Sequence, residues 1–192
     1  MSSLPISSTP ESPSEGGVLW SRLSQRLLPN DIDSLDNRNE ELIEDINEFF
    51  TTVAHRYFSY QHRGFDRIPD GAGLFVGNHN AGFVSPDTFL FSSQLFKERG
   101  IEDIPYALTH EAVLQFPFFH HVGTRIGCIR ASHENAAKAF AADHKVLVYP
   151  GGDEDVFRPY RDRNKVVFGG RQGYIRLALR QNVPIIPVVT AG

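Results

Sequence analysis

The chain has 192 residues, 41% of them hydrophobic and 11% aromatic, which suits one domain with a substantial core. Its net charge of -4 gives no global basic field, and this argues against nucleic acid as a partner. The single cysteine, Cys128, excludes an internal disulfide and suits a reducing compartment. We expect Cys128 to be a small buried apolar residue.

The first 62 residues are predicted to precede the main domain. Residues 1–17 are rich in Ser, Pro and Gly and are expected to be a disordered tail, because they offer little apolar surface. Residues 18–62 are predicted to be helical, with a short helix at 19–28 and a longer one at 36–60 that repeats apolar residues every three or four positions. Aromatic residues crowd the end of this helix and either pack on the domain, which is favoured, or lie on a membrane. They are Phe49, Phe50, Tyr57, Phe58 and Tyr60.

Strands and helices alternate over residues 63–192, which predicts an α/β domain with a mixed, mainly parallel central sheet flanked by helices. Apolar strands at 146–149 and 185–189 indicate a sheet that is covered on both faces. The predicted strands are 73–79, 104–109, 145–150 and 184–192, and the predicted helices are 85–100, 131–142 and 169–183. No apolar run approaches the roughly 18 residues that would cross a bilayer, and no signal peptide is recognisable, so we expect the chain to stay in the cytoplasm.

A histidine and an aspartate near the first strand suggest proton-transfer chemistry. His79 ends that strand, and Asp87 follows the helix-starting pair Ser85 and Pro86. A carboxylate in the first turn of a helix is stabilised in its charged form and can orient an imidazole. The alternative is that His79 only caps a strand and Asp87 only caps a helix.

A glycine loop follows the strand at 145–150. Gly151 and Gly152 allow a tight turn and a close approach of backbone N–H groups to a ligand, although Pro-Gly-Gly is also an ordinary turn. If the two strands are parallel and near one another, His79 and this loop open onto one crevice. The acids at 153–155 are expected to be a solvated turn rather than a metal site.

Basic and aromatic runs lie near these motifs. The basic residues at 158, 161, 163 and 165 follow the glycine loop, and most such runs are solvated, although anionic headgroups could approach this one. The phenylalanines at 89–91 and 116–119 could line an acyl groove. Phenylalanines more often pack in the core than line a groove, and we expect most of these residues to be in the core.

The histidines at 110, 120, 121, 133 and 144 do not indicate zinc. His120 and His121 are adjacent in a predicted helix, where neighbouring side chains point about 100° apart and cannot easily share one ion. We therefore expect no metal site and no cofactor.

Four motifs in order make residues 71–192 resemble the lysophospholipid and glycerol acyltransferases. The first is Asn78-His79 with Asp87, and the second is "GCIRAS" with Arg130. The third is "YPGG" at 149–152, and the fourth is "VPIIPV" at 183–188. The segment Gly151–Asp155 is also one letter from the GGDEF signature of diguanylate cyclases, but nothing like the other three motifs belongs to that family.

The resemblance implies transfer of a fatty acyl group from acyl-CoA or an acyl-carrier protein to a hydroxyl of a glycerolipid acceptor. His79 would be the general base and Asp87 would hold its tautomer. The implied substrate-binding residues are Asn78, Arg130, Pro150, Gly151, Gly152 and Asp155. The resemblance further implies peripheral contact with the cytoplasmic face of a membrane.

Two departures from the family pattern bear on the acceptor. Seven residues separate His79 from Asp87, where four are commonest in the family, so the pair requires a longer loop. Acids follow the glycines where many members carry an arginine, and an acidic loop should repel phosphate. The pattern that ends at Asp155 looks more like the branch that acylates neutral acceptors such as diacylglycerol.

Two alternative functions stay open from the sequence. One is a non-catalytic lipid-binding or membrane-binding module with the same fold, and another is a lipid thioesterase or hydrolase that uses water as acceptor. A Gly-x-Ser-x-Gly elbow would favour a serine hydrolase, and the sequence contains none. Finally, family domains usually continue past the last motif, so the domain is either a C-terminally incomplete fragment or a minimal version.

Overall fold

The structure, a computed structural model, describes residues 29–58, 60–79, 86–162 and 165–190, apart from the side chain of Phe58. The chain divides into two units, Met1–Asn30 and Asp31–Gly192. Nearly all of the first unit lies outside the described residues, and so do the tail expected at 1–17 and the short helix predicted at 19–28. Every helix and strand of the described residues belongs to the second unit.

The long helix predicted before the domain is confirmed in its central part. Helix α1 spans Glu40–Val53, and the side chain of its N-cap, Asn39, accepts a hydrogen bond from the Leu42 N–H at 2.8 Å. The helix continues as one π-helical turn over Ala54–Phe58. Ile43 on its apolar face is 2% exposed and belongs to a core cluster with the sheet, so α1 is an integral part of the domain.

The expected α/β domain with a mainly parallel sheet is confirmed, and all five strands of the sheet in the described residues are parallel. The strands are β1 (Gly73–Gly77), β2 (Tyr106–Thr109), β3 (Cys128–Arg130), β4 (Lys145–Val148) and β5 (Ile185–Val188). Their order is β3-β2-β4-β1-β5, so β1 lies between β4 and β5. Strand β3 was not predicted, because three residues are too few to show a periodic pattern.

Six further helices connect the strands in the part of the chain that the structure describes. They are α2 (Pro86–Arg99), α3 (Glu111–Leu114), α4 (Pro117–Arg125), α5 (His133–Ala141), α6 (Gly152–Val156) and α7 (Gly173–Gln181). Short 3₁₀ turns lie at Phe65–Arg67, Ile101–Asp103 and Tyr160–Asp162. Helices α2, α5 and α7 fall within the three predicted ranges, whereas α3 and α6 were not predicted.

Helices cover both faces of the sheet, as the apolar strands predicted. One core cluster joins α1 and α2 to the face that carries Phe75 of β1 and Leu147 of β4. The other joins α5 and α7 to the opposite face, which carries Leu74 and Val146. Alternate residues of β1 and β4 therefore enter different cores, which explains their continuous apolar sequence.

Strand β5 departs from the predicted two-sided burial. It is an edge strand, and Ile185 is 41% exposed while Ile186 packs on the core.

No helix of the described residues combines the length and the apolar character that a membrane crossing requires.

Candidate active site

The histidine and the glycine loop meet at the carboxyl end of the sheet. Strands β1 and β4 are parallel neighbours, with Val76 paired to Val148. His79 and Gly151 each lie three residues beyond this pair, so the two loops leave the same edge of the sheet side by side. A shared crevice for His79 and the glycine loop required these two strands to be parallel and near one another, and the structure meets that condition.

The carboxylate of Asp155 ties the two loops together. Its side chain is fully buried, and Oδ2 accepts a hydrogen bond from the His79 backbone N–H at 2.6 Å. Oδ1 accepts from the Val167 N–H at 3.3 Å and forms an ion pair with Arg158, whose side chain is 6% exposed. Arg158 also donates to the His79 carbonyl at 3.0 Å. One acid and one guanidinium thus fix the backbone of His79 on both sides.

Gly151 makes room for Asp155. A Cβ on Gly151 would clash with the Asp155 Cβ and with the Val167 carbonyl, so a larger residue would displace the aspartate. Gly152 has a φ of +50°, which L side chains rarely adopt. Its N–H donates to the Tyr149 carbonyl at 3.2 Å, and this bond closes the turn rather than facing a ligand.

The imidazole of His79 stacks on the ring of Tyr149. The ring centroids are 4.4 Å apart with an interplanar angle of 26°. The Tyr149 hydroxyl in turn lies 2.6 Å from the Thr88 hydroxyl in the first turn of α2. This chain of contacts couples the orientation of the His79 ring to the start of α2.

Burial lowers the pKa of His79 below its ordinary value, and the nearby Arg158 guanidinium acts in the same direction. The negative charges of Asp155 and Asp87 oppose this effect by raising the pKa. Burial is the largest of these influences, so the imidazole is neutral at neutral pH. A neutral imidazole can accept a proton.

Asp87 lies where the sequence predicted, in the first turn of α2, directly after Pro86. Its side chain is buried, and its charge raises the pKa values of Tyr60 and Tyr149, in each case together with the larger effect of burial. The pairing of Asp87 with the His79 ring stays a prediction. Residues 80–85, including the predicted N-cap Ser85, lie outside the described residues.

Asn78 joins the ends of strands β1 and β5. Its side-chain amide donates to the Thr190 carbonyl at 3.1 Å and its oxygen accepts from the Thr190 N–H at 3.1 Å. Thr190 lies two residues beyond β5, so this double hydrogen bond ties the end of β1 to the end of β5. Pro150 is buried, and its carbonyl accepts from Arg171 at 3.4 Å. A direct role of Asn78 or Pro150 toward a substrate stays a prediction.

Arg130 is held away from the other candidate residues. It ends β3, an outer strand that β2 and β4 separate from β1, and strands lie about 4.8 Å apart. Its guanidinium forms a two-pronged ion pair with Asp33, and Asp33 also accepts from Asn135 at 2.6 Å. Its side chain remains 42% exposed, so its predicted phosphate contact stays a prediction.

Two expectations for the loop after β4 were wrong in part. The acids at 153–155 form the start of α6, and only Asp153 and Glu154 are solvated, because Asp155 turns inward. Arg158 begins the basic run that was expected to be solvated, but it is buried against Asp155. The roles of Tyr149, Thr88 and Arg158 were not predicted from the sequence. The signal that could have indicated the role of Tyr149 is its position, since it is a polar aromatic residue directly after a buried strand.

The remaining histidines and the cysteine form no metal site within the ranges that the structure describes. The rings of His120 and His121 lie 5.4 Å apart in an edge-to-face arrangement, with an interplanar angle of 85°. Cys128 is partly buried, and burial raises the pKa of its thiol, which keeps the thiol protonated.

An apolar cavity of about 90 Å³ lies beneath α2, between that helix, α1 and the sheet. Its wall includes Thr88, which contacts Tyr149, and Ser92 one turn further along α2. The other lining residues include Ile43, Phe89, Phe91, Ala107 and Leu147. Of the two aromatic runs that the sequence offered for an acyl groove, only 89–91 reaches this cavity, whereas Phe116 and Phe118 are exposed.

A parallel α/β sheet that presents an Asn-His pair and a Pro-Gly-Gly loop on neighbouring strands defines the class of protein. A family model described as "Acyltransferase" matches residues 59–191, which is most of the chain. The chain belongs to the acyltransferase family. No solved structure matches it.

Curated relatives agree with this assignment. An uncharacterized protein of Mycobacterium tuberculosis is 26% identical over 155 residues, which cover 80% of this chain and 42% of the relative. The mouse protein named "DGAT1/2-independent enzyme synthesizing storage lipids" is 24% identical over 134 residues, 70% of this chain and 39% of the relative. The human protein of the same name is 24% identical over 135 residues, which cover 70% of this chain and 40% of the relative. The chain thus spans about two fifths of the length of these relatives.

Substitution of Asp155 tests the connection between the two loops. Asp155→Ala leaves the Arg158 guanidinium without its carboxylate, and we expect the free energy of unfolding to fall by about 3–5 kcal/mol. The matched control is Asp153→Ala, which removes an exposed ion pair with Arg171 and should leave the free energy of unfolding nearly unchanged. Urea unfolding followed by circular dichroism measures both values, and equal losses would contradict this role of Asp155.

Proposed function

We propose that the protein transfers a fatty acyl group from a thioester donor, acyl-CoA or acyl-carrier protein, to a hydroxyl of a glycerolipid, at the cytoplasmic face of a membrane. The observation that carries this proposal is the half-buried imidazole of His79 beside the glycine loop, with its backbone held by Asp155 and Arg158. The acyltransferase family assignment and the storage-lipid name of the mammalian relatives support the same chemistry.

In the proposed reaction, His79 removes the proton of the acceptor hydroxyl while its oxygen attacks the thioester carbonyl carbon. The tetrahedral intermediate then collapses, the carbon–sulfur bond breaks, and the imidazolium returns the proton to the departing thiolate. Asp87 stabilises the imidazolium and orients the ring, in the manner of the aspartate of a catalytic triad. No covalent intermediate with the enzyme is required.

Positioning contributes in addition to proton transfer. The stack on Tyr149 and the backbone hydrogen bonds to Asp155 and Arg158 restrict His79 before the substrate arrives. The Gly152 N–H is engaged with Tyr149, so the developing oxyanion has to be met by other donors. Gly151 serves this site by letting Asp155 reach the histidine loop.

A neutral acceptor such as diacylglycerol fits the loop better than a phosphorylated one. Asp153 and Glu154 are solvated on α6, directly after the glycines, and their carboxylates repel a phosphate. The Arg171 guanidinium pairs with both acids and offsets part of their charge. The acceptor preference can be read from product analysis across neutral and phosphorylated lipids.

The cavity beneath α2 is proposed to receive part of the acyl chain. It is apolar, and Thr88 links its wall to the Tyr149 ring that supports His79. A cavity of about 150 Å³ can hold one benzene ring, so a space of about 90 Å³ suits only a few methylene groups. The remainder of the chain has to lie outside it.

The first prediction concerns the base itself. His79→Ala should reduce acyl transfer by about 10² to 10⁴ because no other group takes the hydroxyl proton. The assay follows CoA release, with mass spectrometry to separate ester from free fatty acid. His121→Ala changes an exposed histidine and should keep full activity. Full activity of His79→Ala would refute the mechanism, and free fatty acid as the only product would indicate a hydrolase.

The second prediction concerns Asp87 and pH. The charge of Asp87 raises the pKa of His79, so Asp87→Asn should lower that pKa and move the acid limb of the kcat/KM profile to lower pH. We also expect kcat to fall at every pH while donor affinity is unchanged, because the imidazolium loses its counter-charge. A pH series of initial rates measures both effects. An unshifted acid limb with unchanged kcat would show that Asp87 does not act on His79.

The third prediction concerns chain length. Ser92→Leu fills the cavity and should shift the preference toward shorter acyl donors, whereas Ser92→Ala keeps the space and should leave the preference unchanged. Relative kcat/KM values across a series of acyl-CoA lengths measure the shift. If the two variants have the same length profile, the chain does not occupy this cavity.

A further inference from the structure

Helices α1 and α7 lie on opposite sides of the sheet. Ile43 of α1 packs in the core cluster that contains Phe75, and Leu177 of α7 packs in the cluster that contains Leu74. The outer surfaces of the two helices therefore point in opposite directions. These surfaces cannot meet within one molecule, but they can meet between two copies.

The outer surface of α1 is acidic. We define the acidic face as Glu41, Glu44, Asp45 and Glu48 together with Phe49, all of which are exposed. The helix contains no basic residue, and these four acids form no ion pair within the part of the chain that the structure describes. Phe49 is 63% exposed, so a large apolar side chain stands beside uncompensated negative charge.

The outer surface of α7 combines positive charge with apolar side chains. We define the basic face as Ile175, Arg176, Leu179 and Arg180 of α7, together with Ile185 of β5. Both arginines are exposed and form no ion pair among the described residues. Leu179 is 77% exposed, and residues 171–190 contain no acidic residue. An exposed group of apolar side chains between charges is typical of a protein-binding surface.

Strand β5 extends the basic face toward the edge of the sheet. Ile185 is in register with Leu74, so its side chain points to the side of the sheet on which α7 packs. It is still 41% exposed, because β5 is an edge strand that pairs only with β1 in the described sheet. The apolar part of the basic face therefore continues beyond the helix.

The charges of the two faces match in spacing. Arg176 and Arg180 are four residues apart on α7, and Glu44 and Glu48 are four residues apart on α1. Each pair therefore lies on one stripe of its helix and spans about 6 Å along the axis. Two ion pairs can form at once when the helices pack side by side.

The apolar side chains of the two faces match in the same arrangement. Ile175 and Leu179 form the stripe that precedes the arginines in sequence, and Phe49 belongs to the stripe that follows the glutamates. When α1 of one copy runs parallel to α7 of another, these stripes face each other while the charged stripes also meet. Phe49 would then be buried against Leu179, so one orientation satisfies charge and burial together.

We propose that the protein associates with a second copy of itself, with the acidic face of one copy docked on the basic face of the next. The contact joins two different surfaces, so each docked copy still presents one face of each kind to a further copy unless a ring closes. The faces are exposed to solvent, and salt weakens their attraction. The proposal does not rest on the proposed function, because neither face contains a candidate catalytic residue.

Sedimentation velocity of the full chain tests this contact. The mean sedimentation coefficient should rise with protein concentration and fall when salt is added. Arg176→Glu with Arg180→Glu should weaken association about tenfold or more, because both faces are then acidic. The matched control is Lys97→Glu with Arg161→Glu, which changes the net charge equally at exposed positions outside both faces. This control should associate nearly as well as the unaltered protein.

A charge exchange completes the design. Glu44→Lys with Glu48→Lys makes both faces basic and should also weaken association about tenfold or more. An equimolar mixture of this variant with Arg176→Glu, Arg180→Glu should associate again, because every contact then joins opposite charges. Unchanged circular dichroism shows that each variant is folded.

Three results would overturn the proposal. The first is an unaltered protein that sediments as a monomer at every concentration, which would mean that neither face binds a second copy. The second is association that survives both charge reversals, which would indicate another surface such as the open edge of β5. The third is a mixture of the two reversed variants that stays as weakly associated as each variant alone.

Discussion

The buried carboxylate of Asp155 is the constraint on which the site depends. It holds the backbone of His79 from the loop after the neighbouring strand, and it can reach that backbone only because Gly151 leaves no side chain in its path. A charged group without solvent is costly unless it is paired, and Arg158 supplies the opposite charge. The glycine loop is therefore needed for packing as well as for the ligand binding that the sequence predicted.

This constraint also explains the electrostatics of the histidine. Two carboxylates near an imidazole would by themselves favour its protonated form, which cannot act as a base. Burial and Arg158 act against them, and the net effect lowers the pKa of His79. The negative charge of Asp155 is largely engaged by Arg158 and by backbone N–H groups.

The sheet order concentrates several features at one end of the domain. Placing β1 between β4 and β5 puts Asn78 beside Thr190 and His79 beside Gly151, while the helices on both faces keep the strands buried. Loops at the carboxyl ends of parallel strands can carry chemistry while the strands themselves stay in the core.

The sequence by itself determined the features that depend on local pattern. Apolar runs identified β1 and β4, three- and four-residue spacing identified α1, and Pro86 fixed the start of α2 and hence the position of Asp87. Only the tertiary structure decided which strands are neighbours, that Asp155 and Arg158 are buried, and that Arg130 pairs with Asp33, 97 residues away. Periodicity records which face of an element is apolar, whereas partners distant in the chain are chosen by the packing of whole layers, which no local pattern contains.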